Sequence, residues 1–190
     1  MKFVQPIRNE RDIEKIKAYL KEKNIRDYVM FCIGIYTALR ASDIRKLKVK
    51  DIRESTGKFK SHISIVEQKR NNKNNSSRKI MILPQLEKVL KPYIKDKNDE
   101  DYLVKSRKGE NLAIQREMIY RIVKEAADEC GVPEVGSHTM RKTFAYHYYK
   151  KTNDIAGLMK MLGHSAEYIT LRYIGLEQDR IDDNMRQIKY

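Results

Sequence analysis

The chain has 190 residues, a length suited to one domain or one domain with a small appendage. Hydrophobic residues make up 41%, enough for a core, while 40 basic residues against 26 acidic ones give a formal net charge of +14. A solvated surface does not need that bias, so the composition argues against a neutral scaffold and for a polyanionic partner, with nucleic acid ahead of an acidic membrane face or acidic protein.

The first ten residues, MKFVQPIRNE, lack the apolar stretch of a signal peptide, which predicts a cytoplasmic protein. A first helix is expected from about Arg11 to Lys23, with Ile13, Ile16, Tyr19 and Leu20 on one face. Asn24 would end it in a left-handed conformation. A second helix, Arg26 to Leu39, is apolar nearly all round and should lie at the centre of the core. Its apolar run from Tyr28 is too short to span a bilayer, and Gly34 and Thr37 interrupt it, so no membrane partner is expected. Cys32 lies in this helix and Cys130 in a later one. Without a C-x-x-C spacing they predict a reduced protein with no zinc site.

A short helix over Ser42 to Leu47 is followed by three expected strands, Val49 to Ile52, His62 to Val66 and Lys79 to Leu83. The polar segment 67–78, EQKRNNKNNSSR, reads as an exposed hairpin tip. Pro84 suits a first helical position, and Leu86, Val89, Leu90, Tyr93 and Ile94 form a stripe. Ile119, Ile122, Val123, Ala126 and Cys130 form another, stopped by Gly131 and Pro133. Ser137 is the expected N-cap of a helix reaching Lys150. Helices over Ile155 to Leu162, Ala166 to Arg172 and Gln178 to Ile188 complete a mainly α domain with a small antiparallel β-sheet.

Three segments carry chemistry together. They are Thr37-Ala38-Leu39-Arg40-Ala41-Ser42-Asp43-Ile44, His138-Thr139-Met140-Arg141-Lys142-Thr143-Phe144-Ala145, and Leu162-Gly163-His164-Ser165, with Tyr173 nine residues after His164. Arg40 begins a turn after the most apolar helix. His138 and Arg141 share a face at a helix start, a position that favours bound phosphate. Two arginines, two histidines and a tyrosine could surround one phosphodiester. Transesterification suits such a set: the Tyr173 hydroxyl, with an ordinary pKa of about 10, attacks phosphorus with help. Arg40 and Arg141 would hold the non-bridging oxygens, since guanidinium matches phosphate and stays charged. His138 would move the proton at the nucleophile, His164 would donate to the phosphate, and a lysine would protonate the leaving 5′ oxygen. No carboxylate cluster for divalent ions stands out, so neither metal nor cofactor is expected. Each piece alone is weak, since most single arginines and histidines are solvated or structural and most tyrosines simply pack. Their order and spacing on a basic helical chain is the signal.

In that order the segments resemble the tyrosine recombinase, or phage integrase, family. Its signature is an arginine in a T-G-L-R-x-S-E-L-like segment, a lysine on a β-hairpin, H-x-x-R, L-G-H, and a tyrosine about nine residues on. Here these are Arg40, Lys69, His138 to Arg141, Leu162 to His164, and Tyr173. The resemblance spans about Arg11 to Ile174 and implies the family's catalytic-domain fold, a 3′-phosphotyrosyl intermediate, and a site-specific recombinase acting on double-stranded DNA. Ala38 and Asp43 stand where Gly and Glu are common. The hairpin tip is longer and Asn-rich, with Lys69 the best fit to the family's lysine, Lys73 second and Lys79 also within reach.

The resemblance also implies a single catalytic domain over residues 1–190, with the family's usual N-terminal core-binding domain absent, as in a natural short form or an excised domain. Residues 174–190 resemble tails that dock on a neighbouring protomer. The face of Ile181, Met185 and Ile188 suits that, or a fold-back onto the chain's own core, and self-association on DNA as a dimer or tetramer is expected. Two other readings share the residues: a type IB topoisomerase, and a DNA-binding regulator that does not turn over.

Overall fold

The computed structural model describes residues 4–67 and 76–188. In chain order it contains α1 (Glu10–Lys23), α2 (Ile25–Thr37), α3 (Ala41–Ile44), a 3-10 turn (Val49–Asp51), β1 (His62–Glu67), β2 (Ser76–Met81), α4 (Pro84–Tyr93), α5 (Arg116–Glu129), α6 (Thr139–Thr152), α7 (Ile155–Leu162), α8 (Glu167–Tyr173) and α9 (Leu176–Arg186). The expected mainly helical domain with a small antiparallel sheet is what forms.

Asn24 does not take the left-handed conformation expected of it. Its φ of −164° is extended, and its side chain accepts from the N–H groups of Arg26 (3.0 Å) and Asp27 (3.3 Å). The next helix begins at once, so its need for an N-cap decides the geometry. α2 does run through the core: Val29, Met30, Phe31, Cys32 and Ile33 are fully buried. It packs against α1, α4 and α6. Contact with α6 is closest at Gly34, where an added Cβ would lie 2.5 Å from the Met140 sulfur.

The expected strand over Val49 to Ile52 is instead a 3-10 turn. The Asp51 carboxylate accepts the Lys48 N–H at 2.8 Å, and the Ile52 N–H bonds back to the Val49 carbonyl. Val49 and Ile52 are three apart, a helical spacing that closes this turn. β1 and β2 pair in register from His62 with Met81 to Glu67 with Ser76. β2 therefore begins three residues earlier than alternation suggests, because backbone pairing continues where side-chain patterning has stopped. Lys69 and Lys73 lie outside the described residues.

Ser137 does not cap α6. His138 occupies the N-cap position without making a side-chain cap, and the Thr139 hydroxyl accepts from the Gly136 N–H at 2.8 Å. Two apolar clusters flank α6. The larger gathers α1, α2, α4 and α5. The smaller comprises Ala38, Ala145, Leu158, Leu162, Leu171, Ile174 and Leu176. α9 is anchored by Leu176, while Ile181, Met185 and Ile188 stay about half or more exposed, so this apolar face does not fold back onto the chain's own core.

Candidate active site

α2 ends at Ala38, whose left-handed backbone (φ 54°, ψ 20°) turns the chain sharply into α3. Arg40 is the first residue of that new direction. Its N–H is held by the Asp43 carboxylate at 3.3 Å, so the acidic residue three positions on fixes the arginine's backbone. The Arg40 side chain is on the exposed side of the turn.

Arg141 approaches the same place from α6. It is only 3% exposed, and its guanidinium donates to the carbonyl oxygens of Ala38 (2.5 Å) and Leu162 (2.8 Å). One cation thus ties the turn after α2 to the end of α7, using backbone acceptors that would otherwise be unpaired in the interior. Burial pulls its pKa down to about 10. The Tyr173 phenol and Asp43 act upward, while Arg40 and Arg78 act further downward. The group remains cationic at neutral pH.

α7 closes at Gly163, left-handed at φ 70°, and the His164 N–H returns to the Met159 carbonyl at 3.0 Å. This turn aims His164 at α8. Its Nδ1 sits 2.9 Å from the hydroxyl of fully buried Thr170. The hydroxyl's other acceptor, the Ala166 carbonyl, is 3.5 Å away, at the edge of hydrogen bonding. The shorter contact favours Thr170 donating to Nδ1, an arrangement that puts the ring proton on Nε2 as a donor facing away from Thr170. Burial lowers the His164 pKa, and Arg141 and Arg40 lower it further. His138 is shifted the same way, by burial first and then by Arg116, Arg141, Lys142 and Arg40. Both shifts favour the neutral ring.

Tyr173 is the last residue of α8. Its ring meets His164 edge-on, centroids 5.2 Å apart at 80°. The hydroxyl is buried and has no partner at hydrogen-bonding geometry among the described residues. Burial raises its pKa, against the opposing pull of the Arg141 and Arg40 cations. Five of the six residues singled out in the sequence, Arg40, His138, Arg141, His164 and Tyr173, thus share one electrostatic neighbourhood. The sixth, Lys69, falls outside the described residues.

Three further residues belong to this neighbourhood. Thr170 orients His164. Arg78, on β2, bonds to the Met161 carbonyl beside Leu162 and adds its charge near Arg141. Lys142 is 9% exposed, with its ammonium 5.0 Å from the centre of the Tyr173 ring. Lys142 follows Arg141 in the motif, and hydropathy assigns such a lysine to solvent. Nothing in the sequence marks Thr170, and Arg78 looks like part of a polar tip.

The chain matches the phage integrase family over residues 8–180. It is 46% identical over 179 residues to the probable integrase/recombinase YoeC of Bacillus subtilis (strain 168), covering 94% of this chain and 93% of that protein. It is 29% identical over 175 residues to a tyrosine recombinase of Pseudothermotoga lettingae, covering 90% of this chain but 57% of that one. Among solved structures, the XerH site-specific recombinase bound to palindromic difH substrate, a post-cleavage complex, superposes with a TM-score of 0.72 at 22% identity over 98% of this chain and 54% of that chain. The fold is that of this group, and the chain spans most of the first relative and about half the length of the other two.

Proposed function

Because the chain belongs to the phage integrase family, we propose that it is a site-specific recombinase that cuts and rejoins double-stranded DNA through Tyr173. The observation that carries this reading is geometric: Arg141 ties the turn that carries Arg40 to the end of α7, and the His164 turn that follows sets its ring edge-on against Tyr173. A tyrosine placed only for packing gains nothing from the nearby Arg141 and Arg40 charges, which oppose the upward pull of burial on its pKa.

The Tyr173 oxygen attacks the scissile phosphorus. The new O–P bond forms as the bond from phosphorus to the 5′ oxygen breaks, leaving a 3′-phosphotyrosyl end and a 5′ hydroxyl. Arg40 and Arg141 bind the non-bridging oxygens and neutralise charge in the pentacoordinate state, a contact worth roughly a thousandfold in rate by analogy with other phosphoryl-transfer arginines. Neutral His138 takes the phenolic proton, and burial keeps it available as a base. His164 donates from Nε2 to a phosphate oxygen. The leaving oxygen receives its proton from a hairpin lysine, Lys69 first and Lys73 second. Rejoining runs the same steps backwards with a new 5′ hydroxyl. The covalent link conserves the phosphodiester, so no nucleotide cofactor is consumed.

The net charge of +14 supports binding to the DNA backbone, with affinity that falls steeply with salt. The exposed apolar face of Ile181, Met185 and Ile188 supports self-association on DNA as a dimer or tetramer. No described helix is long and apolar enough to cross a membrane, and action on genomic DNA fits a cytoplasmic place. The test is a nicked suicide duplex carrying a site recovered by footprinting genomic DNA. Wild type should form a covalent protein–DNA band and Tyr173→Phe should form none. An equal band in both removes Tyr173 from the reaction. Relaxation of supercoils without exchange between marked duplexes would favour a topoisomerase instead.

A further inference from the structure

We infer that Lys142 is a positioning residue for Tyr173, and that the extended segment of residues 4–8 is the fixture that holds Lys142 in place. The inference rests on Tyr173 being the nucleophile and adds to that reading a residue and a segment it does not include.

The segment lies along one face of α6 for two turns. The Thr139 hydroxyl donates to the Gln5 carbonyl at 3.2 Å, and Lys142 Nζ donates to the Val4 carbonyl at 2.7 Å. The Ile7 N–H donates to the Thr143 hydroxyl at 2.9 Å, and the His147 ring meets the Ile7 carbonyl at 2.9 Å. Positions 139, 142, 143 and 147 repeat at helical spacing, so they form one stripe facing the segment. The segment is seated at both ends. The Gln5 N–H bonds to the carbonyl of Glu134, and a Cβ at Gly136 would overlap Val4. Ile7 is buried, and the Arg8 guanidinium stacks on Tyr146 at 5.6 Å.

Lys142 links this segment to the nucleophile. A lysine with so little exposure needs partners for its charge. Among them are the Val4 carbonyl and the π face of Tyr173. A cation on that face holds the ring and favours its ionised form more than its neutral one. The segment reaches Tyr173 from the other side too: Arg8 Nη2 donates at 3.1 Å to the carbonyl of Gly175, two residues beyond Tyr173. The phenol is thus braced below its ring and just after its helix by a stretch distant in sequence.

The experiment measures the rate of covalent-complex formation against pH on the nicked duplex, together with DNA affinity and melting temperature. The variants are Lys142→Met and Lys142→Arg. Lys142→Met should be at least tenfold slower, with its pH–rate profile moved to higher pH and DNA affinity within about twofold of wild type, a range that excludes a lost phosphate contact. Lys142→Arg should restore most of the rate and the profile. A slow Lys142→Met with an unmoved profile and no rescue means the lysine only supports the fold, and overturns the inference, as does an unchanged rate. If Lys142→Met loses its melting transition, removal of residues 1–4 carries the test: the same alkaline displacement is expected, and an unmoved profile overturns the inference. Tyr173→Phe is run alongside, because a covalent band there overturns the nucleophile itself, whereas an inactive Tyr173→Phe beside a fully active Lys142→Met overturns the positioning role alone.

Discussion

α2 and α6 are packed against one another, and their buried sides are opposites. α2 buries Val29, Met30, Phe31, Cys32, Ile33 and Ile35 along its middle, an aliphatic and aromatic surface, and keeps its buried polar residues, Asp27 and Thr37, near its two ends. α6 buries Thr139, Arg141, Lys142 and Thr143 beside Met140 and Ala145. Every polar group among those four finds an acceptor or donor outside its own helix, mainly in backbone carbonyls of the turn after α2, the end of α7 and the segment 4–8. The first helix holds the domain together by area. The second holds charges at fixed positions, and that takes more surrounding chain to satisfy than an aliphatic surface does.

The sharpest test of that division is Arg141→Lys. A lysine cannot bridge Ala38 and Leu162 while also presenting a fork to phosphate. Covalent-complex formation should fall about a thousandfold, with a lowered melting temperature. A rate within tenfold of wild type would place the phosphate contact elsewhere. On the α2 side, Gly34→Ala presses a methyl group against Met140 and should cost about 1–3 kcal/mol in urea unfolding. Its rate per folded molecule should change far less than its stability. A large rate loss at unchanged stability would blur the contrast between the two helices. Thr170→Val removes the donor to His164 Nδ1 while keeping the side chain's shape. About tenfold slower cleavage is expected, the cost of roughly one hydrogen bond, with Thr170→Ser near wild type. Equal rates for all three would mean that Thr170 does not set the His164 tautomer. The smallest effect is expected at Ala38. Gly relieves its left-handed strain but enlarges the unfolded ensemble, a net gain of about 0.5–1 kcal/mol in thermal or urea unfolding.

The same contrast explains what the sequence makes legible. α2 stands out because apolar residues on every side leave burial as the only option. α6 has no such pattern: Arg141 and Lys142 count as surface residues in any hydropathy reading, and only the motif spacing marks their place. Arg40, His138, Arg141, His164 and Tyr173 are found from their order along the chain. Lys142, Thr170 and Arg78 are found only from the packing: Lys142 and Arg78 meet partners far away in sequence, and Thr170 meets His164 across the turn before α8. The misplaced features share one cause. Local preference alone sets the expected geometry of Asn24, Val49 to Ile52 and Ser137, and at each a neighbouring helix start, a carboxylate or a packed segment imposes a different one.

The buried hydroxyl of Tyr173 also bears on how the chain's phenols differ in reactivity. Twelve tyrosines offer twelve phenols to a nitrating or sulfonylating reagent. Tyr120 and Tyr168 stand well into solvent and should be consumed first, whereas the Tyr173 hydroxyl is sheltered from bulk water and should react last.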